Sequence, residues 1–173
     1  MPEVLLALGS NMGDRIANLC AATEALSNVV DLLAVSSVYE TAPMYVEDQQ
    51  AFLNAALRAR SHLAPLALLR LLKATEAEIG RKLGLRYGPR EIDIDLISYG
   101  SLIYHFKGGE RELQIPHPRV HERRFVLEPL FDVDPDGVLP GQGTIRELLA
   151  RTSEQAGDVH RIEDALLPIY SNR

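Results

Sequence analysis

Asp93 and Asp95 stand two residues apart in YGPREIDIDLI, residues 87 to 97, interleaved with Ile92, Ile94 and Leu96. In an extended strand this alternation puts the three aliphatic side chains on one face. Both carboxylates then share the other face, roughly 6.5 to 7 Å apart along the chain. Like charges so placed repel, and a hard cation would relieve them: Mg²⁺ takes one or two carboxylates and completes its shell with waters and phosphate oxygens. Two solvated aspartates on an exposed sheet face would show the same pattern, so the surroundings have to decide. Arg81, Arg86 and Arg90 precede the pair, and Arg119, Arg123 and Arg124 cluster with His117 and His121 in PHPRVHERR. Fixed cations beside a carboxylate-held metal suit polyphosphate chemistry, which must neutralise charge on both the transferred and the leaving group.

Other signals are weaker. His117 lies between Pro116 and Pro118, which restrict its backbone, and it reads as a phosphate hydrogen-bond donor or equally as a loop packing residue. The stretch LGSNMGD leaves a strand and opens a helix, so its amides could meet an anion. It lacks the G-K-[ST] ending of a P-loop and the G-x-G-x-x-G spacing, and a plain strand-to-helix turn fits it as well. No second His or Cys stands at zinc-ligand spacing with the right partners, and no nucleophile elbow is present. Glycines 80, 84 and 88 bracket the first arginine loop and make it a candidate lid.

The elements that must position these residues follow from periodicity. VLLALGSN predicts a buried strand, and GDRIANLCAATEAL a helix with Ile16, Leu19, Thr23 and Leu26 on its apolar side. DLLAVSSVYET predicts the second strand, APMYVEDQQA a loop, and FLNAALRARSHL the third strand. Pro65 opens a helix whose stripe is Leu68, Leu72, Thr75 and Ile79, and the aspartate stretch is the fourth strand. The resulting β-α-β-β-α-β order predicts an α+β, ferredoxin-like split antiparallel sheet with helices on one face, plus a C-terminal extension. The other face is expected to be free and to carry the aspartates. Beyond residue 100 the expectation is a polar excursion, YHFKGGERE, then a short strand near Leu113 to Ile115 and a loop that becomes helical in PHPRVHERRFVLEPL. A capped helix starts at Thr144 with Glu147 three residues on. The tail after about residue 150 reads as loosely packed.

The 173 residues predict a single domain. A net charge of -6 and a pI near 5.4 argue against a nucleic-acid partner, so any anionic ligand must meet a local cluster of cations. The single cysteine, Cys20, excludes an internal disulfide framework and reads as a small buried residue. The N-terminus has no secretory n-region and no apolar run spans a bilayer, which predicts a cytoplasmic protein without a membrane partner.

Taken in order, LALGSNMGDR, VYETAPM, FLNAAL, EAEIGR, YGPREIDIDLISYG and IPHPRVHERRFVLEPL resemble the 6-hydroxymethyl-7,8-dihydropterin pyrophosphokinases of folate biosynthesis, over about Leu5 to Leu130. The resemblance implies a ferredoxin-like α/β fold and transfer of pyrophosphate from ATP to the pterin hydroxymethyl group, with ATP as co-substrate and two Mg²⁺ ions on Asp93 and Asp95. It implies Arg81 and Arg90 as catalytic arginines together with that pair. ATP would be bound by Glu76, Arg81, Arg86, Arg90, Leu96, His117 and Arg123. The pterin would be bound by Thr41, Pro43, Met44, Phe52, Asn54 and Phe125, the two phenylalanines flanking the ring. A monomer acting on small-molecule substrates, with one activity, is expected. The chain departs from many relatives at Leu83 and Tyr87, where an arginine and a tryptophan are common, and at Ala42, Pro118 and Lys73, the last replacing a polar nucleotide-contacting residue. The competing classes are a regulatory ligand-binding module and a two-aspartate phosphohydrolase or nuclease. The first has no need of paired metal ligands beside two arginine loops, and the acidic pI disfavours a nuclease.

Overall fold

The computed structural model describes residues 1–42, 50–80, 90–108 and 111–168. Its centre is β1 (Glu3–Ser10), apolar on both sides because both of its faces are covered. Val4, Leu6 and Leu8 are buried on one face, with Leu5 on the other. After a turn, α1 (Arg15–Ser27) begins under Asp14, whose Oδ1 accepts the Ala17 amide at 3.0 Å. Leu19, Thr23 and Leu26 are buried as expected, but Ile16, in the first turn of the helix, is 36% exposed and outside the core cluster.

The stretch expected as one second strand is two, β2 (Asp31–Val35) and β3 (Ser37–Thr41). Ser36 breaks it: its amide donates to Ala56 O at 2.9 Å, while its Oγ takes the Ala56 amide at 2.8 Å in place of a backbone carbonyl. Both halves pair with β4 (Phe52–Arg60), and β4 pairs along its length with β1. Next, α2 (Pro65–Ile79) begins on Pro65, buries Leu68, Leu72 and Thr75, and stops at Gly80, whose φ of 118° only glycine adopts cheaply. β5 (Asp93–Tyr99) returns beside β1. With β1 held between β4 and β5, and α1 and α2 on one face, the split ferredoxin-like order stands. Ile92, Ile94 and Leu96 lie in the core under these helices.

The remainder is more ordered than its sequence pattern suggests. The polar excursion is itself a strand, β6 (Tyr104–Gly108), paired with β7 (Arg111–Ile115) in a hairpin. A 3₁₀ turn, Val120–Glu122, leads into α3 (Arg124–Val133). The face expected to be free is partly covered by α3, where Val126, Leu127 and Leu130 pack on Leu5, Ala56 and Ile97. A two-residue pair, β8 (Val138–Leu139) with β9 (Gly143–Thr144), precedes α4 (Ile145–Arg151). There Thr144 and Glu147 form the expected capping box. The expected loose tail is instead β10 (Val159–Leu166), antiparallel to β3, and Leu167 beyond it is buried in the core. Weak periodicity misled here because an edge strand needs only one apolar face. No helix among the described residues is long and apolar enough to cross a membrane.

Asp132 fastens α3 to β3 by accepting the Ser37 amide and the Tyr39 hydroxyl, each at 3.0 Å on Oδ2. Asp132→Ala should therefore cost roughly 1–3 kcal/mol, since it strands two donors, and a urea unfolding midpoint will read the loss.

Candidate active site

The face of β5 that carries Asp93 and Asp95 also carries Ile97. Ile97 is buried beneath α3, whereas the two aspartates lie beyond the helix and are half-buried. The carboxylates thus occupy the point where the second layer stops. Two cations and a histidine meet them. Arg90 Nη1 donates to Asp93 Oδ2. Lys73 Nζ lies 3.8 Å from Asp93 Oδ1 and 3.6 Å from Asp95 Oδ1. His117 is close enough for Asp95 to favour its charged form, although burial, the larger effect, pulls the imidazole below its ordinary range.

Lys73 and Glu76 come from one turn of α2 and close the outer edge of β5. Glu76 Oε1 accepts the Ile94 amide at 2.7 Å and the Lys73 ammonium at 2.6 Å, and the ammonium also donates to Ile94 O at 2.9 Å. The backbone donor and acceptor of an edge residue are both satisfied by helix side chains. Glu76 is 2% exposed. Burial pushes its carboxyl above the usual carboxylate range, and Lys73 offsets part of that rise.

A cleft of about 340 Å³ opens beside this cluster, lined by Lys73, Asp95, Leu96, Gln114, His117 and Pro118 among others. Leu96, expected at the nucleotide, is in its wall, whereas Glu76 sits behind Lys73 and does not line it. His117 is pinned to β5 by donation from its amide to Ile97 O at 2.8 Å. Its Nδ1 accepts the Arg119 amide at 3.2 Å, which leaves the proton of the neutral ring on Nε2 as a donor. Arg123, half-buried 5.8 Å from the Phe125 ring, has an Nε with no acceptor among the described residues. Arg124 is not part of the cation face. Its Nη1 donates to Leu149 O and Thr152 O and its Nη2 pairs with Glu128, holding α3 to α4.

The second half of the site lies across the sheet. Strand register aligns Asn54, Gly9 and Asp93 in one row over β4, β1 and β5. Two strand spacings separate Asn54 from Asp93, about 10 Å. A Cβ on Gly9 would stand 3.5 Å from Asn54 Oδ1 and 3.9 Å from Phe52 Cδ1, so the glycine leaves this row open. Asn54 and Thr41 are both buried, and Asn54 Nδ2 donates to Thr41 Oγ1 at 2.9 Å. Phe52 is half-buried at the head of β4, and Phe125 half-buried in the first turn of α3. Pro43 and Met44, and Arg81, Leu83, Arg86 and Tyr87 with the rest of the glycine-bracketed loop, lie outside the described residues.

Asn11, which local sequence pattern does not single out, joins the two halves. Its Oδ1 accepts the Arg90 amide at 2.7 Å, its amide donates to Arg90 O at 3.0 Å, and its Nδ2 donates to Gln50 O at 3.3 Å. Its position in LGSN was visible, but its partners are 39 and 79 residues away. Lys73 was noted only as a substitution. Its spacing of three from Glu76 was the signal that they act together.

Two carboxylate oxygens within 4 Å of one ammonium mark a point that attracts cations, and oxygen-only donors suit Mg²⁺. Among the described residues no group of three or more His, Cys, Asp or Glu is placed to hold a metal unaided. An ion on the pair would need further oxygens, such as those of a phosphate chain.

Comparison with known proteins places this geometry in a family. The family model described as 7,8-dihydro-6-hydroxymethylpterin-pyrophosphokinase (HPPK) matches residues 5–135. A Methylorubrum extorquens protein named 2-amino-4-hydroxy-6-hydroxymethyldihydropteridine pyrophosphokinase is 39% identical over 166 residues, covering 94% of this chain and all of its own length. The mitochondrial folate synthesis bifunctional protein of Pisum sativum is 46% identical over 132 residues, and there the match covers 76% of this chain but 25% of the pea protein. The chain thus spans about a quarter of the first curated relatives it matches. Wild-type Plasmodium falciparum HPPK-DHPS, solved with pteroate, superposes with a TM-score of 0.77 over 93% of this chain and 48% of that one. Its identity is 16%, a likeness that establishes the fold. On the match to the family model and the full-length agreement with the Methylorubrum protein, the chain belongs to the 7,8-dihydro-6-hydroxymethylpterin-pyrophosphokinase family.

Proposed function

We propose that this chain transfers the β,γ-pyrophosphoryl group of ATP to the hydroxymethyl oxygen of 6-hydroxymethyl-7,8-dihydropterin, a step of folate biosynthesis. The new bond joins that oxygen to the β phosphorus, the α–β bridging bond breaks, AMP leaves and the hydroxyl loses its proton. The observation that carries this reading is the Asn54–Gly9–Asp93 row, which sets a buried amide suited to a heterocycle edge about 10 Å from an acidic, cation-rich cluster suited to polyphosphate. The family match and the names of its relatives support the same reaction.

In this reading residues 1–173 act as one domain and as a monomer in the cytoplasm. Asp93 and Asp95 hold two Mg²⁺ ions, which when bound neutralise phosphate charge and polarise the transferred group. The chain's own donors surround the same phosphates: Arg90 beside Asp93, His117 through Nε2–H, and Arg123 through its guanidinium. Arg81 and Arg86 join them from the glycine-bracketed loop. Leu96 and the rest of the cleft wall receive the nucleoside, and Glu76 acts on it through Lys73, which it positions. Thr41 and Asn54 hold the pterin edge with Pro43 and Met44, while Phe52 and Phe125 flank the ring and exclude water from it. No covalent enzyme intermediate is needed, since positioning and electrostatic stabilisation suffice for phosphoryl chemistry.

Purified protein given ATP, Mg²⁺ and the hydroxymethyl dihydropterin should form AMP and pterin diphosphate in equal amounts by chromatography; ADP or free phosphate in their place would rule out pyrophosphoryl transfer. Asp95→Ala should lower kcat at least about 100-fold while leaving the circular dichroism spectrum unchanged, and a rate near wild type would remove Asp95 from the metal site. Phe125→Ala should weaken pterin binding about tenfold in calorimetry with little change for ATP, whereas equal losses would mark a packing role only.

A further inference from the structure

Lys73 is held more tightly than a surface lysine. Two of the three ammonium hydrogens are committed, to Glu76 Oε1 at 2.6 Å and to Ile94 O at 2.9 Å, and its side chain is 17% exposed. Both acceptors belong to rigid elements, α2 and the edge of β5, so the charge cannot swing away as a solvated ammonium would. The fixed position is 3.6 Å from Asp95 Oδ1 and 3.8 Å from Asp93 Oδ1. A divalent ion bound ~2.1 Å from Asp95 Oδ1 would therefore lie within ~6 Å of Nζ. That is inside the screening length of physiological salt, and partly buried charges are screened less than exposed ones, so the repulsion is felt. Arg90 adds a second positive charge on the far oxygen of Asp93. Glu112 and His117 share the wall of the cleft with Lys73; Glu112 is paired with His105 at 2.6 Å, and His117 feels the charge of both aspartates.

We infer that Lys73 is a tethered counter-cation that keeps the aspartate pair from taking divalent ions alone, so that metal enters together with the phosphates of ATP. The inference rests on the metal role proposed for Asp93 and Asp95. Before substrate arrives Lys73 offsets the two carboxylates, and the polyphosphate later supplies the negative charge that lets a divalent ion stand beside an ammonium. Lys73 is thus a positioning residue for the metal–nucleotide complex, acting through charge and not by contact with the reacting atoms.

Mn²⁺ without nucleotide is the probe, with the free ion counted by electron paramagnetic resonance. Lys73→Gln should bind Mn²⁺ about tenfold more tightly than wild type, and Lys73→Arg, which keeps the charge, should match wild type. Because Lys73→Gln leaves the buried Glu76 carboxylate without its ammonium and could fail to fold, the comparison is repeated between Glu76→Gln and Lys73→Gln/Glu76→Gln, where no buried charge is stranded. The double variant should again be about tenfold tighter. With α,β-methylene-ATP present, the gap between wild type and Lys73→Gln should shrink to under about threefold, as phosphate oxygens and charge dominate. Unchanged or weaker Mn²⁺ binding on loss of Lys73 in both backgrounds overturns the inference while leaving the aspartate site standing. Retention of tight Mn²⁺ binding in Lys73→Gln/Asp95→Asn instead overturns the aspartate reading, and the inference with it.

Discussion

The antiparallel pairing of β1 with both β4 and β5 is the constraint on which the rest of the structure depends. It sets residues distant in sequence into rows: Asn54, Gly9 and Asp93 in one, Ala56, Ala7 and Asp95 in the next. Gly9 at the centre of the first row leaves the sheet surface open between Asn54 on β4 and Asp93 on β5, while Ala56 and Ala7 of the second row already lie in the apolar cluster under α3. A one-residue slip of β1 would turn Leu8 or Leu6 into this gap and put Gly9 and Ala7 against the α1/α2 core. Register is protected against that slip by burial of Val4, Leu6 and Leu8 on the helix side.

Electrostatics decides what the anionic wall can be. Two carboxylates on neighbouring same-face positions, with a third behind them in Glu76, would repel strongly if left alone. The fold answers with Lys73 and Arg90, one from α2 and one from the residue that Asn11 grips at both its amide and its carbonyl. The same Lys73–Glu76 pair satisfies the backbone of Ile94, so the electrostatic arrangement and the closure of the β5 edge are one structure. A buried pair of this kind is a poor stabiliser in general; here its effect is to fix where a positive charge stands.

The boundary of the second layer is the other determinant. α3 covers Ile97 and stops short of Asp95, which makes a polar end and an apolar end of the same strand face. Asp132 and Arg124 anchor that helix to β3 and α4, so the helix start that carries Phe125 and the loop that carries His117 and Arg123 come to the site as a unit.

Much of this was legible in local pattern. Alternation in EIDIDLI put both carboxylates on one face and three aliphatic residues in the core. Periodicity gave the split strand order and the stripe of α2, and the capping box located α4. The blocks around Asp93 and His117 carry the resemblance to the pyrophosphokinase family. What local pattern could not supply were relations between distant segments. The break at Ser36 depends on Ala56 across the sheet, the clasp of Asn11 on residues 50 and 90, and the strand made of the tail on an open edge of β3. Periodicity reports which face of an element is apolar, because that depends on neighbours three or four residues away. It does not report which face of which element lies opposite, because that is settled by packing and register. The sequence by itself therefore determined that Asp93 and Asp95 share a polar face. Only the tertiary structure decided that Lys73 stands between them and that Gly9 leaves the path to Asn54 open, since both facts require β1, β5 and α2 to meet in space.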